Sequence, residues 1–244
     1  MSTAQTIREA VAEVERLRDE GRAAPHVAQG VFRLKRMQAA RFAGTYADLL
    51  ASGTYGAATR FFLEELYGER DFTERDAQFA RIAGAVERLF PRDVAETAAA
   101  LARLHALTES LDHAMARVAV PADAQDAAAY VRAWKTVDRR VDRQRQLDSV
   151  IALGAELTRL TRLPGLRMML RMMRGAASAA GLGALQRFLE SGFDTFGGMA
   201  RKHGSAERFL ETIRAREQRL MELLFDGDAA SGEAELRRLL GQAR

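Results

Sequence analysis

Apolar side chains return every three to four residues along most of the chain, with charged and small polar residues on the intervening arcs, which is the period of the α-helix. Each of the four prolines stands where a helix should begin, because a first-turn proline forfeits no helical hydrogen bond and an interior one does. Pro25, Pro91, Pro121 and Pro164 therefore divide the chain, and Gly21, Gly44, Gly53, Gly68, Gly181, Gly204 and Gly227 supply finer stops. The helices this predicts are Ala4–Glu20, Pro25–Phe42, Tyr46–Ala51, Tyr55–Tyr67, Glu74–Phe90, Arg92–Val118, Ala124–Leu163, Leu166–Ala180, Ala184–Lys202, Ala206–Phe225 and Glu233–Leu240. The long seventh is expected to break internally, and Thr73 with Asp76 reads as a capping box at the start of the fifth. No run alternates with period two and is rich in Val, Ile and Thr, so the expected fold is all-α, a bundle of nine to eleven helices.

No Ser/Gly/Pro linker interrupts the pattern and no internal repeat keeps register, which argues against a solenoid. Residues 1–244 read as one domain, or as two packed sub-bundles, 1–120 and 121–244, meeting at the weakly apolar connection Ala119–Gln125.

Charge and composition narrow the function classes. The net charge is +4, with Lys35, Lys135 and Lys202 the only lysines, so nearly all the basic residues are arginines. The absence of cysteine excludes disulfides, thiolate metal sites and thiol nucleophiles, and suits a reducing, cytoplasmic setting. Met1–Leu17 lacks the apolar block of a secretory leader, and no window of about 18 residues is apolar and uncharged enough to span a bilayer.

One motif stands out: Phe61, Phe62, Leu63, Glu64, Glu65, Leu66 and Tyr67 spell FFLEELY. Together with Gly68, Asp71, Phe72, Arg75 and Asp76, and with Met173-Arg174-Gly175 and Phe188-Leu189-Glu190, this resembles the bacterial family of FFLEELY motif proteins. The resemblance implies no particular activity. On a helix, Phe61, Phe62, Leu63 and Leu66 cover a broad apolar arc into which Glu65 projects, while Glu64 falls on the polar side by Arg60. A carboxylate among aromatic rings must be neutral, paired or hydrogen-bonded. Glu65 therefore reads as one half of an internal salt bridge with Asp71 or Asp76 closing the adjoining turn, or else as a tuned carboxylate in a pocket beside Tyr67 and Arg75. Buried ion pairs are the commoner of the two.

His105, Glu109 and His113 recur at four-residue spacing with Asp112 on the adjoining edge, a conceivable zinc or iron edge that needs ligands from a second helix, with His26 and His203 the only other histidines. The preferred reading is a solvated or partly solvated face of His–carboxylate pairs, with neither metal nor other cofactor.

Between Leu157 and Leu189 there are six arginines, Arg159, Arg162, Arg167, Arg171, Arg174 and Arg187, and no acid. Arg167, Arg171 and Arg174 share an arc of about 60° opposite Leu166, Met169, Leu170 and Met173. Such a helix packs inward, the reading favoured by Gly175, Ala179 and Gly183 at four-residue spacing, or else grips an acidic partner or phosphate-bearing ligand, or lies on an anionic membrane. The basic run Arg132, Lys135, Arg139, Arg140, Arg143 and Arg145 contains Asp138 and Asp142 and reads as a solvated face. Nothing in the chain matches a nucleic-acid-binding module, which argues against that partner. The stripe Leu185, Phe188, Leu189, Phe193 and Phe196 reads as core, and Tyr130 with Trp134 as an anchor of the long helix or, with the Met168–Met173 cluster, the wall of a ligand pocket.

Phosphate loops, nucleophile elbows and His-Glu-x-x-His are all missing. The sequence therefore reads as a non-enzymatic binding or regulatory protein, self-association included, that contacts an acidic partner through Arg159, Arg162, Arg167, Arg171 and Arg174. The rival readings are an enzyme with a pocket at Glu65, Tyr67 and Arg75 or a metal at His105, Glu109 and His113, and a peripheral membrane protein.

Overall fold

A computed structural model describes residues 1–65, 72–118, 123, 126–201 and 204–243, and for Glu65 the backbone alone. Leu66, Tyr67, Gly68, Asp71, Pro121, His203 and most of the Ala119–Gln125 connection lie outside the described residues, as does the side chain of Glu65. Among the described residues there are thirteen helices and no strand: α1 (Thr3–Ala23), α2 (Pro25–Thr45), α3 (Ala47–Leu50), α4 (Gly56–Glu65), α5 (Thr73–Leu89), α6 (Arg92–Val118), α7 (Ala127–Val137), α8 (Arg140–Leu160), α9 (Leu166–Met172), α10 (Arg174–Ala179), α11 (Gly183–Ala200), α12 (Ser205–Asp226) and α13 (Ala229–Gln242).

Two predicted helices are each a pair, which accounts for the excess over nine to eleven. The long seventh breaks at Asp138, whose φ of 43° is left-handed and whose N–H still bonds to the Trp134 carbonyl. The Leu166–Ala180 helix parts at Met173, where the hydrogen bonds Met173 N to Met169 O and Ala177 N to Met173 O bridge the break. Pro25 opens α2 as expected. Gly181 and Gly204, both with φ of 67°, mark real breaks, because a β-carbon is disfavoured there. Gly44 does not: α2 continues through Thr45. Nor does Asp76 serve as a cap, for it is buried within α5, where its carboxylate bonds to other helices.

Among the described residues the core has four regions. α2, α6, α7, α12 and α13 enclose Leu34, Met37, Met115, Trp134, Leu224 and Leu236. Phe42, Tyr46, Phe61, Phe62, Phe196 and Phe209 join α2, α4, α11 and α12. α1, α5 and α6 meet through alanines and Ile7, and α8, α9 and α11 through Leu160, Leu166, Leu170 and Phe193. Tyr130 and Trp134 stack at 5.9 Å inside the first region, so they anchor α7 rather than line a pocket. Arg143, expected on a solvated face, is buried with its guanidinium 4.4 Å from the Trp134 ring centroid. No helix among the described residues is long and apolar enough to cross a membrane.

Candidate ligand-binding cavity

α5 leans on α1 and α11 more than on its sequence neighbour α6. The space left between α5, α6 and α8, roofed by α9 to α11, is a cavity of about 320 Å³. Its wall follows α6 from Val94 through Leu101 and His105 to Asp112, eighteen residue steps, or roughly 27 Å at ~1.5 Å per residue. Ile82 and Phe79 of α5, Leu157 of α8 and Phe193 of α11 line the middle, and Leu89, 72% exposed, stands at one end.

The FFLEELY segment supplies part of this wall. Phe61 and Phe62 are buried and line the cavity. Phe61 stacks on Phe188 at 5.8 Å and meets Phe196 edge-on, while Phe62 contacts Phe196 and Phe209. Leu63 packs half-buried behind them and Glu64 faces outward. The Arg75 guanidinium lies 3.9 Å from the Phe72 ring centroid and 4.7 Å from that of Phe188, held between two aromatic faces beside the cavity.

Polar groups gather at the inner end. Asp76, 4% exposed, accepts from Arg18 at 2.6 Å and pairs with His105 Nε2 at 3.0 Å. Burial opposes its charge, but the His105 and Arg18 contacts outweigh it and hold the carboxyl below the usual range. Lys35 of α2 meets Glu109 at 2.5 Å, and Gln38 donates to Asp112 at 2.9 Å. Asp112 is 1% exposed, and burial pushes its carboxyl up despite the nearby positive charges of Lys35 and Arg143. Gln146 of α8 donates to Thr108 at 2.8 Å.

The three residues of the metal edge thus turn to separate partners: His105 to Asp76, Glu109 to Lys35, and His113 to Glu20 of α1 at 3.2 Å. Glu109 and His113 are buried, so the solvated face expected of them is an interior one, and their partners come from other helices. Among the described residues no three His, Asp or Glu side chains are grouped to hold a metal ion.

The arginine-rich hairpin draws its acids from outside the acid-free stretch, some adjoining it and some distant in sequence. Arg159 bonds to Asp93 and Glu156, Arg162 lies 3.6 Å from Glu207, Arg167 meets Asp194 at 2.7 Å and Arg174 meets Glu190 at 2.5 Å. Arg171 is exposed, with no acid in ion-pair range among the described residues. Its apolar side, Leu166, Leu170, Met173 and Ala177, faces the cavity. Inward packing of this side is what its sequence pattern favours; the cavity beneath it is what the sequence did not show. The available signal for the pairing of the arginines was the acids flanking the arginine block, Glu156, Glu190 and Asp194, placed to neutralise it.

Fold and cavity together define an all-helical protein built around an elongated apolar chamber with a polar inner end. The chain belongs to the family described as Domain of unknown function (DUF8198), whose pattern matches residues 17–231. No curated protein and no solved structure matches it.

Proposed function

We propose that this protein binds an elongated apolar small molecule in the cavity between α5, α6 and α8. The observation that carries this reading is the chamber itself. A space of about 320 Å³ is roughly twice the apolar cavity of about 150 Å³ that stays dry and binds benzene, and apolar volume left unfilled costs stability. An apolar lining is a poor host for water, so an apolar occupant is the economical way to offset that cost. Volume and lining match those of small-molecule sites, mostly hydrophobic with a few convergent polar groups. Since a cavity of about 150 Å³ holds benzene, this one takes about a dozen non-hydrogen atoms.

The basic hairpin enters this reading as the roof. Its arginines Arg159, Arg162, Arg167 and Arg174 already have acids within the chain, which weakens the case for an acidic partner as their main role.

Titration with 1-aminonaphthalene, an uncharged fluorescent probe that brightens in apolar surroundings and is small enough for this volume, tests the reading. One-to-one saturable enhancement is expected. Ala85→Phe, which projects a ring from α5 into the cavity, should abolish the signal and raise stability by about 0.5–2 kcal/mol, as cavity filling does. Equal probe binding by wild type and variant, or no saturable binding at all, contradicts the proposal.

A further inference from the structure

We infer that the ligand is a neutral chain carrying one hydroxyl, seated against Asp112 and Thr108 at the inner end of the cavity. This rests on the binding reading above and names the chemistry of its head group.

The character of the wall changes along α6. From Val94 to Ala102 the lining is apolar apart from Thr97, whose hydroxyl is tied to the Asp93 carbonyl at 2.7 Å. From His105 to Asp112 it is polar. Nearly every polar group at that end is already matched within the chain: His105 with Asp76, Lys35 with Glu109, Gln146 with Thr108 and Arg143. Two hydrogen-bonding positions are left over. Asp112 Oδ1 takes the Gln38 amide, whereas Oδ2 has no partner among the described residues, although the residue is almost wholly buried and lines the cavity. Thr108 Oγ1 accepts from Gln146, and its hydroxyl proton has no acceptor among the described residues. Thr108 and Asp112 are four residues apart on one helix, hence neighbours on one face. An almost wholly buried carboxyl oxygen is rarely left without a partner, so Asp112, with the half-buried Thr108 beside it, calls for a group that donates to a carboxyl oxygen and accepts from a hydroxyl. A hydroxyl does both.

Charge selects the same head. Lys35 and Glu109 cancel, and Asp112 already faces the positive charges of Lys35 and Arg143. An ammonium would add a third cation beside those two. A carboxylate would enter between Asp112 and Glu109. A neutral hydroxyl disturbs neither balance.

The experiment is calorimetric titration of the full chain at pH 7.5 with 1-decanol, decyl methyl ether, decylamine and decanoate, matched in tail and differing in head. The alcohol is expected to bind at least about tenfold tighter than each of the others, since a site built around a hydroxyl discriminates against analogues lacking it. In Asp112→Leu the ether should still bind while the alcohol's advantage falls to within about twofold; Thr108→Val, which removes the hydroxyl that donates to the head group, should narrow it as well. Decanoate or decylamine binding as tightly as decanol overturns the head-group inference alone, as does an unchanged alcohol preference in Asp112→Leu. Failure of all four to bind overturns the cavity reading with it.

Discussion

Replacing Asp76 with alanine is expected to lower the unfolding free energy by about 3 kcal/mol, at the lower end of what breaking a buried ion pair costs. The carboxylate is shared by Arg18 of α1 and His105 of α6, with Arg75 Nε 3.8 Å away, so one side chain ties three helices together. Without it the Arg18 guanidinium, whose Nη1 is already buried and unbonded among the described residues, keeps its charge in the interior with nothing to balance it. Urea unfolding of wild type and Asp76→Ala measures the loss. A pH series adds a signed test. The folded-state pKa of Asp76 is depressed, so the native state holds this proton less readily than the unfolded chain. The stability it contributes is therefore complete above about pH 5 and is lost as the pH falls below the ordinary Asp value of about 3.9. The difference between wild type and Asp76→Asn should be flat above that window and shrink below it. A difference that grows on acidification contradicts this assignment.

Gly44→Ala should destabilise by about 2–3 kcal/mol, in the range for overpacking. Helix propensity alone predicts the opposite, a gain of up to about 1 kcal/mol for removing a glycine from a helix. Contact decides between them. A β-carbon on residue 44 would lie 1.8 Å from the Leu239 carbonyl oxygen and 2.7 Å from its carbon, both backbone atoms of α13 that no rotamer change can move. α13 would have to lift, and with it Leu236, Leu239 and Leu240, which fill the core beside Leu34 and Met37. A chemical denaturation midpoint at or above that of wild type would show that α2 and α13 do not approach as described.

Gly44 also shows where reading a sequence stops. A glycine near the end of an apolar-periodic run has two physical explanations, a left-handed cap or a close approach of helices, and only the partner helix distinguishes them. Gly181 and Gly204 are of the first kind and were legible; Gly44 is of the second. Helical periodicity is local, which is why most of the elements and an internal break in the long seventh helix, though not its place, could be read from residue patterns. Pairing between helices is not local. His105, Glu109 and His113 have the spacing of a ligand set, yet their partners Asp76, Lys35 and Glu20 come from α5, α2 and α1, which no spacing along α6 reveals. The cavity was the least legible feature, because a void is defined by what fails to pack. Phe61, Phe79, Leu101 and Leu157 look like any core residues until the gap between α5 and α6 is seen.

Xenon bound to pressurised crystals tests the central claim most directly, since xenon occupies dry apolar cavities and ignores polar ones. The account predicts ordered xenon between α5, α6 and α8, within reach of Phe79, Leu101 and Leu157, and absent from Ala85→Phe crystals. Closed packing of α5 against α6, or a chain of ordered water where xenon is expected, would contradict it.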